Sequence, residues 1–139
     1  MMDMKLELVL LPVSNVDRSK EFYMERAGFN LDVDHQPSAD FRVVQLTPPG
    51  SACSITFGIG LGTGEPGSVK GLHLVVTDIE ATHRELTGRG MELDEIRHMT
   101  PGGWVGGVDP DRADYASYSG FSDPDGNTFV LQEVGHSSS

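Results

Sequence analysis

Cysteine is nearly absent, with Cys53 alone among 139 residues. A lone thiol cannot close a disulfide within the chain, so the fold must stand on packing and hydrogen bonds, and a reducing, cytoplasmic setting is expected. Cys53 has no obvious base or cationic neighbour in sequence and reads as a small buried hydrophobe. Positive charge is scarce as well: 10 Lys and Arg stand against 21 Asp and Glu, a formal net charge of -11. That balance repels phosphate backbones and anionic lipid, so no nucleic acid and no membrane partner is expected, while a cationic small molecule would be steered inward. No stretch approaches the roughly 20 apolar residues that cross a bilayer. The apolar opening from Met1 to Val13 is interrupted by Glu7 and lacks a small-residue cleavage site, so it reads as a strand rather than a signal peptide. Also missing are a Gly-x-Ser-x-Gly elbow, a Cys-x-x-Cys pair and a His-Glu-x-x-His helix, which leaves hydrolytic readings without support.

With 37% apolar residues, the chain suits one compact unit or two small modules packed together. An internal repeat favours the second form. Leu8-Val9-Leu10-Leu11-Pro12-Val13-Ser14-Asn15-Val16-Asp17 aligns without a gap on Gly71-Leu72-His73-Leu74-Val75-Val76-Thr77-Asp78-Ile79-Glu80. Each copy is a strand-like run followed by a capping-box pattern, Ser14-x-x-Asp17 and Thr77-x-x-Glu80, which predicts a helix start. Val16, Ser19 and Tyr23 in one copy, and Ile79, Thr82 and Leu86 in the other, fall on one helical face, ending near Gly28 and near Gly88 or Gly90.

After the first helix, Phe29 to Val33, Phe41 to Leu46 and Ser54 to Ile59 have strand composition, and after the second so do Met91 to Ile96, Tyr115 to Phe121 and Thr128 to Val134. The order is β-α-β-β-β twice. Residues 1–60 are expected to form the first module, 61–70 a linker, 71–134 the second module and 135–139 a disordered tail. The glycine-dense stretch from Gly58 to Gly67 suggests a phosphate loop only superficially, because Pro66 and Gly67 lead into a strand instead of a helix.

Two segments carry a resemblance. Val13-Ser14-Asn15-Val16-Asp17-Arg18-Ser19-Lys20-Glu21-Phe22-Tyr23, and the turn Phe121-Ser122-Asp123-Pro124-Asp125-Gly126-Asn127, resemble the vicinal oxygen chelate superfamily of glyoxalases, bleomycin-resistance proteins and dioxygenases. With the match at Val76-Thr77-Asp78-Ile79, the similarity runs from about Leu6 to Val134. It implies an α+β fold in which tandem β-α-β-β-β modules make a cupped, partly open barrel, and it implies a homodimer. Physically the turn reads as a structural hairpin: Pro124 presets φ, Gly126 or Asn127 can take positive φ, and the Asp side chains can bond nearby amides. It lacks the further oxygen ligands of a calcium loop.

The resemblance also implies where a metal would sit, on the first and last strands of each module. Those positions here are Leu8, Thr56, Gly71 and Val130. None is an imidazole, carboxylate or thiolate, so no metal ligand and no cofactor are assigned. His73 shares a strand face with Gly71, and Gln132 with Val130, which keeps open a displaced divalent-metal site with Glu7 or Glu133 if a bulge intervenes. His73 also fits a polar anchor, a neutral base for cofactor-free proton transfer, or a hydrogen-bonded structural histidine. The other four histidines, His35, His83, His98 and His136, read as solvated.

The segment from Met99 to Tyr118 reads as a long, flexible insertion suited to a lid. Trp104 within it can stack on a planar ligand or cover the core. The functional expectation is metal-independent binding and sequestration of a small aromatic or cationic molecule by Leu8, Leu10, Thr56, His73, Trp104, Tyr118, Val130 and Gln132. The alternatives are an enzyme, with relocated metal ligands or with His73 as its catalytic group, and a domain that keeps the fold without a ligand.

Overall fold

The computed structural model describes residues 2–136. The chain opens with β1 (Leu8–Leu10), α1 (Val16–Glu21), a π-helical turn (Phe22–Arg26), β2 (Asn30–Ser38), β3 (Phe41–Thr47) and β4 (Ser54–Ile59). It continues with β5 (Leu72–Val76), α2 (Ile79–Gly88), β6 (Arg97–Thr100), β7 (Gly103–Gly106), β8 (Ser117–Ser122) and β9 (Thr128–Glu133). The strands form two mixed sheets, ordered β1-β4-β3-β2 and β5-β9-β8-β6-β7. In each sheet the first strand lies parallel to the last of its set, β1 on β4 and β5 on β9, and the remaining pairs are antiparallel. The fold is α+β, and the second set carries one strand more than β-α-β-β-β. No helix among the described residues is long and apolar enough to cross a membrane.

The chain divides into two compact units. One runs up to Val69 and includes Asp123–Asn127; the other holds Lys70–Ser122 and the chain from Thr128 onward. In the first unit the inner face of the sheet presents Val44, Leu46, Ile55 and Phe57, all buried. Tyr23 is fully buried and packs on Phe29 and Phe57, with ring centroids 5.6 and 5.8 Å away. In the second unit α2 lies on β8 and β9, where Ile79, Leu86, Phe129 and Leu131 are buried and Phe121 stacks on Phe129 at 5.1 Å. Removing each of these large side chains from water contributes about 1.5–3 kcal/mol.

The helices begin one residue later than the capping boxes predict. Asn15 and Asp78 are the N-caps, accepting from the amides of Arg18 and Ala81. Both are extended, with side chains short enough to reach an amide three residues on, so they outcompete Ser14 and Thr77. Ser14 is diverted, its hydroxyl donating to Asp125 at 2.5 Å.

Two strand expectations also fail. Met91–Ile96 forms no strand, although its composition and its place in the repeat suggested one: Asp94 is tied to Gly120 by a backbone bond of 2.8 Å, and regular pairing starts only at Arg97. The supposed flexible insertion contains β7, in which Trp104 pairs with Met99. His98, read as solvated, is 7% exposed on β6 and hydrogen-bonds the Gly107 carbonyl through Nδ1 at 2.8 Å. Gly135 and His136 are hydrogen-bonded, to Asp114 and to the Thr77 carbonyl; the remainder of the expected tail, residues 137–139, lies outside the described residues.

The turn Asp123–Asn127 is a structural knot. The buried Asp123 carboxylate accepts from the Asp125 and Asn127 amides at 2.9 Å, from Asn127 Nδ2 at 2.8 Å and from the Tyr23 hydroxyl at 2.7 Å. Asn127 also donates to the Pro12 carbonyl at 2.9 Å and accepts from the Val69 amide at 3.1 Å. With its oxygens so committed, Asp123 has nothing to offer a cation. Burial, followed by the neighbouring Asp123 charge, holds the Tyr23 phenol far above its ordinary pKa, so it donates as a neutral group.

Candidate functional site

Alternation along the strands decides which side chains leave the helix-packed cores. In the second sheet Phe129, Leu131 and Glu133 point to the α2 side, so Thr128, Val130 and Gln132 point away from it. Register carries this parity across the sheet. His73 pairs with Val130 and Val75 with Gln132; Tyr118 pairs with Gln132 and Gly120 with Val130; Arg97 pairs with Tyr118, and Trp104 with Met99. The open face is therefore His73 and Val75, then Val130 and Gln132, then Tyr118 and Gly120, then Arg97, Met99 and Trp104.

Five of the expected site residues meet on this face. The Gln132 amide donates to the Tyr118 hydroxyl at 3.2 Å, and the Tyr118 hydroxyl donates to the Tyr115 carbonyl at 2.5 Å. The Tyr118 ring meets Trp104 edge to face, centroids 5.6 Å apart, and the Arg97 guanidinium lies 4.9 Å over the Trp104 ring. Trp104 is 51% exposed, so the wall is held in place yet open to a partner. His73 is exposed and its Nδ1 lies 2.8 Å from the Gly71 carbonyl. A carbonyl only accepts, so Nδ1 carries the proton and Nε2 of the neutral ring is left as an acceptor.

A cavity of about 500 Å³ adjoins this wall, lined by residues that include Asp94, Arg97, Gly120, Ser122, Thr128 and Val130. A smaller one of about 390 Å³ lies between Asp94, Glu95, Arg97 and Trp104. The glycines make room for the acids: a Cβ on Gly120 would lie 2.9 Å from Asp94 Oδ2, and one on Gly106 would lie 2.8 Å from Glu95 Oε1. Neither carboxylate has a hydrogen-bond partner among the described residues. Sequence reasoning missed Asp94, Glu95, Arg97 and Gly120 because it set the strand over Met91–Ile96. Starting the alternation at Arg97 puts Arg97 and Met99 on the side of Tyr118.

Leu8, Leu10 and Thr56 lie in the first unit, on the sheet face opposite Val9, Ile55 and Phe57, and Leu10 pairs directly with Thr56. Thr56 is 4% exposed and its hydroxyl has no partner among the described residues.

The residues at the positions where the resemblance places a metal do not fit one. Leu8, Gly71 and Val130 offer no side-chain donor atom, and Thr56 only a neutral hydroxyl. A different cluster, Asp78, Glu133 and His136, has ligand atoms within 4.8 Å of one another. It already surrounds a cation: Arg112 Nη2 stands 2.6 Å from Glu133 Oε2, 3.4 Å from Asp78 Oδ1 and 3.5 Å from His136 Nδ1. Hydrogen bonding from Arg112 holds the Glu133 carboxyl below its ordinary pKa, and the same bond raises that of Arg112. A guanidinium occupies the place an ion would need.

The family model described as Glyoxalase/Bleomycin resistance protein/Dioxygenase superfamily matches residues 5–131. Among solved structures, TnmS3, an antibiotic binding protein from Streptomyces sp. CB03234, is 32% identical with a TM-score of 0.72, covering 96% of this chain and 98% of that one. A glyoxalase/bleomycin resistance protein from the same organism is also 32% identical, TM-score 0.70, over 93% of this chain and 100% of that one. A superfamily member from Sphaerobacter thermophilus DSM 20745 is 28% identical, TM-score 0.73, over 96% of this chain and 100% of that one.

Proposed function

The chain belongs to the Glyoxalase/Bleomycin resistance protein/Dioxygenase superfamily, and we propose that it binds and sequesters a small aromatic or cationic molecule on the open face of its second sheet, without a metal ion. The observation that carries this reading is the half-exposed Trp104, held edge-on by Tyr118 and lining, with Asp94, a cavity of about 390 Å³ in which the Asp94 carboxylate has no hydrogen-bond partner among the described residues. A planar ring gains area and quadrupole contact on Trp104, and a positive group gains Coulomb attraction from Asp94 and Glu95. The net charge of -11 raises the local concentration of such a cation. The antibiotic-binding relative supports small-molecule recognition on this fold. Leu8, Leu10 and Thr56, together on the first unit's own sheet, are proposed as ligand-binding positions of that unit, and the working form as a homodimer in a reducing compartment, to be weighed by light scattering.

The test is a titration with ethidium, a planar aromatic cation, at about 0.15 M salt where loose surface attraction is screened. Saturable quenching of Trp104, unchanged by chelator, is the expected result. Quenching that requires added manganese, nickel or zinc, or any of these ions raising the melting temperature at stoichiometric load, defeats metal independence. Ethidium and a wider panel of aromatic cations leaving both fluorescence and melting temperature unmoved would defeat the binding reading.

One observation favours a second reading. His73 has its proton placed on Nδ1 by Gly71 and so turns a basic Nε2 to the open face, the arrangement a cofactor-free proton-transfer catalyst would use. A His73→Ala variant that binds but no longer converts its ligand would establish it.

A further inference from the structure

Among the described residues, two non-glycine residues occupy left-handed backbone, and both lie in the loop between β7 and β8: Arg112 with φ 51 and Tyr115 with φ 64. Such conformations persist only where surrounding contacts over-determine them, and they cluster at functional sites. The contacts here are dense. The Arg112 amide donates to the Asp109 carbonyl at 2.9 Å, and its side chain grips Glu133 with two bonds, Nε to Oε1 at 2.8 Å and Nη2 to Oε2 at 2.6 Å. Nη1 adds Glu80 at 3.0 Å. Glu133 is fully buried, and its Oε2 also accepts the Ile79 amide at the start of α2, at 2.9 Å. Three positions on, the Tyr115 amide donates to the Glu133 backbone carbonyl at 2.9 Å.

The consequence crosses the sheet. Glu133 faces α2, but the Tyr115 carbonyl that this clamp fixes accepts the hydroxyl of Tyr118, which stands on the open face against Trp104. We propose that Arg112 is a positioning residue for ligand recognition: its bidentate grip on Glu133 holds the strained loop so that Tyr115 anchors Tyr118, and Tyr118 in turn sets the plane of Trp104. Arg112 touches no ligand; it acts through Tyr118. Lysine cannot reproduce this role, because an ammonium is a point charge without the planar fork that meets both Glu133 oxygens. The proposal rests on the binding reading above for its functional meaning, but the geometry it asserts exists in the free protein.

The test uses the full chain with Arg112→Met, Tyr118→Phe and the double variant, and Arg112→Lys as the milder change should Met not fold. The first readout needs no ligand: acrylamide quenching of Trp104 and the near-ultraviolet circular dichroism of the Trp104–Tyr118 pair. Arg112→Met or Arg112→Lys should open Trp104 to quencher and weaken the dichroic band while far-ultraviolet dichroism is kept. In the Tyr118→Phe background the same change should add almost nothing. The second readout is ethidium affinity, expected to fall about three- to tenfold for Arg112→Met alone and less than about twofold on top of Tyr118→Phe. Unchanged Trp104 signals in the Arg112 variants, or equal losses of affinity in both backgrounds, overturn the proposal. Wild-type protein that ignores ethidium counts against the binding reading only, since the ligand-free readout still decides this one.

Discussion

Replacing Thr56 by valine should make the protein more stable and a poorer binder at once. Thr56 sits 4% exposed on β4 beside Leu10, and its hydroxyl finds no hydrogen-bond partner among the described residues. A buried hydroxyl left unsatisfied costs about 1–3 kcal/mol relative to the hydrated group, and valine fills the same shape without that penalty. For a chain of 139 residues, a gain of about 1 kcal/mol corresponds to a rise of roughly 3–5 °C in melting temperature. If the hydroxyl is kept for a ligand, affinity for ethidium should fall about three- to tenfold in the same variant. Ser19 supplies the control: it is fully buried on α1 with an equally orphaned hydroxyl, but it faces the core. Ser19→Ala should be neutral or stabilising and leave affinity untouched. Scanning calorimetry and isothermal titration on the two variants suffice. A melting temperature lowered by more than about 2 °C in Thr56→Val would show that the hydroxyl is paired; a raised one with unchanged affinity would remove Thr56 from the binding surface.

Acid should weaken the fold through its paired carboxylates. Hydrogen bonds from Arg112 depress the Glu133 pKa below its ordinary 4.5, those from Arg42 and Lys20 depress Asp34 below 3.8, and the Ala81 amide does the same for Asp78. A depressed folded pKa contributes stability above the unfolded value and loses it as pH falls through the folded one. Urea midpoints should therefore be flat from neutrality to about pH 5 and decline below it, less steeply in Glu133→Gln; a flat profile down to pH 3 contradicts the ion-pair geometry. Tyr23→Phe should cost about 1–3 kcal/mol, read by urea unfolding, because it strips a 2.7 Å bond from the buried Asp123 carboxylate; a loss below about 0.5 kcal/mol would mean the knot re-forms without it. Gly67→Ala should lower the melting temperature sharply, since Gly67 has φ 81 and a Cβ there would meet the Asp125 carbonyl oxygen at 2.0 Å; wild-type stability in that variant would show the turn free to shift.

Local signals with few competitors were legible before the structure. The repeat around Leu8 and Leu72 marks two strand-then-helix starts, and the spacing of Val16, Ser19 and Tyr23 gives the buried side of the first helical segment. The caps were displaced by one residue because Asn15 and Ser14 are both competent, and only Asp125, far along the chain, draws Ser14 away. The strand over Met91–Ile96 failed for a related reason: strand composition is a local property, but a ladder needs a partner, and β8 meets β6 only at Arg97 and His98. The same non-local pairing hid the acids beside Gly106 and Gly120, which are visible only once glycines are seen to yield space to carboxylates.

Parity explains why recognition would move toward β6, β7 and β8. A divalent centre on β5 and β9 must draw its donors from residues turned away from α2. Those strands present Gly71, His73 and Val75 against Thr128, Val130 and Gln132, which is one imidazole, one hydroxyl and one amide, too few strong donors for tight binding. The far side of the sheet has what the centre lacks. The segment from Pro101 to Ala116 adds β7, which puts Trp104 on the open face, and the Arg112 clamp, which fixes Tyr118 beside it. One insertion thus supplies both the aromatic surface and the brace that orients it. Ligand contacts mapped by amide shifts should for this reason concentrate on Arg97, Trp104, Tyr118 and Gly120, with small changes at Leu72 and Leu74. A map centred on β5 instead would return the chemistry to the strands where the resemblance places a metal.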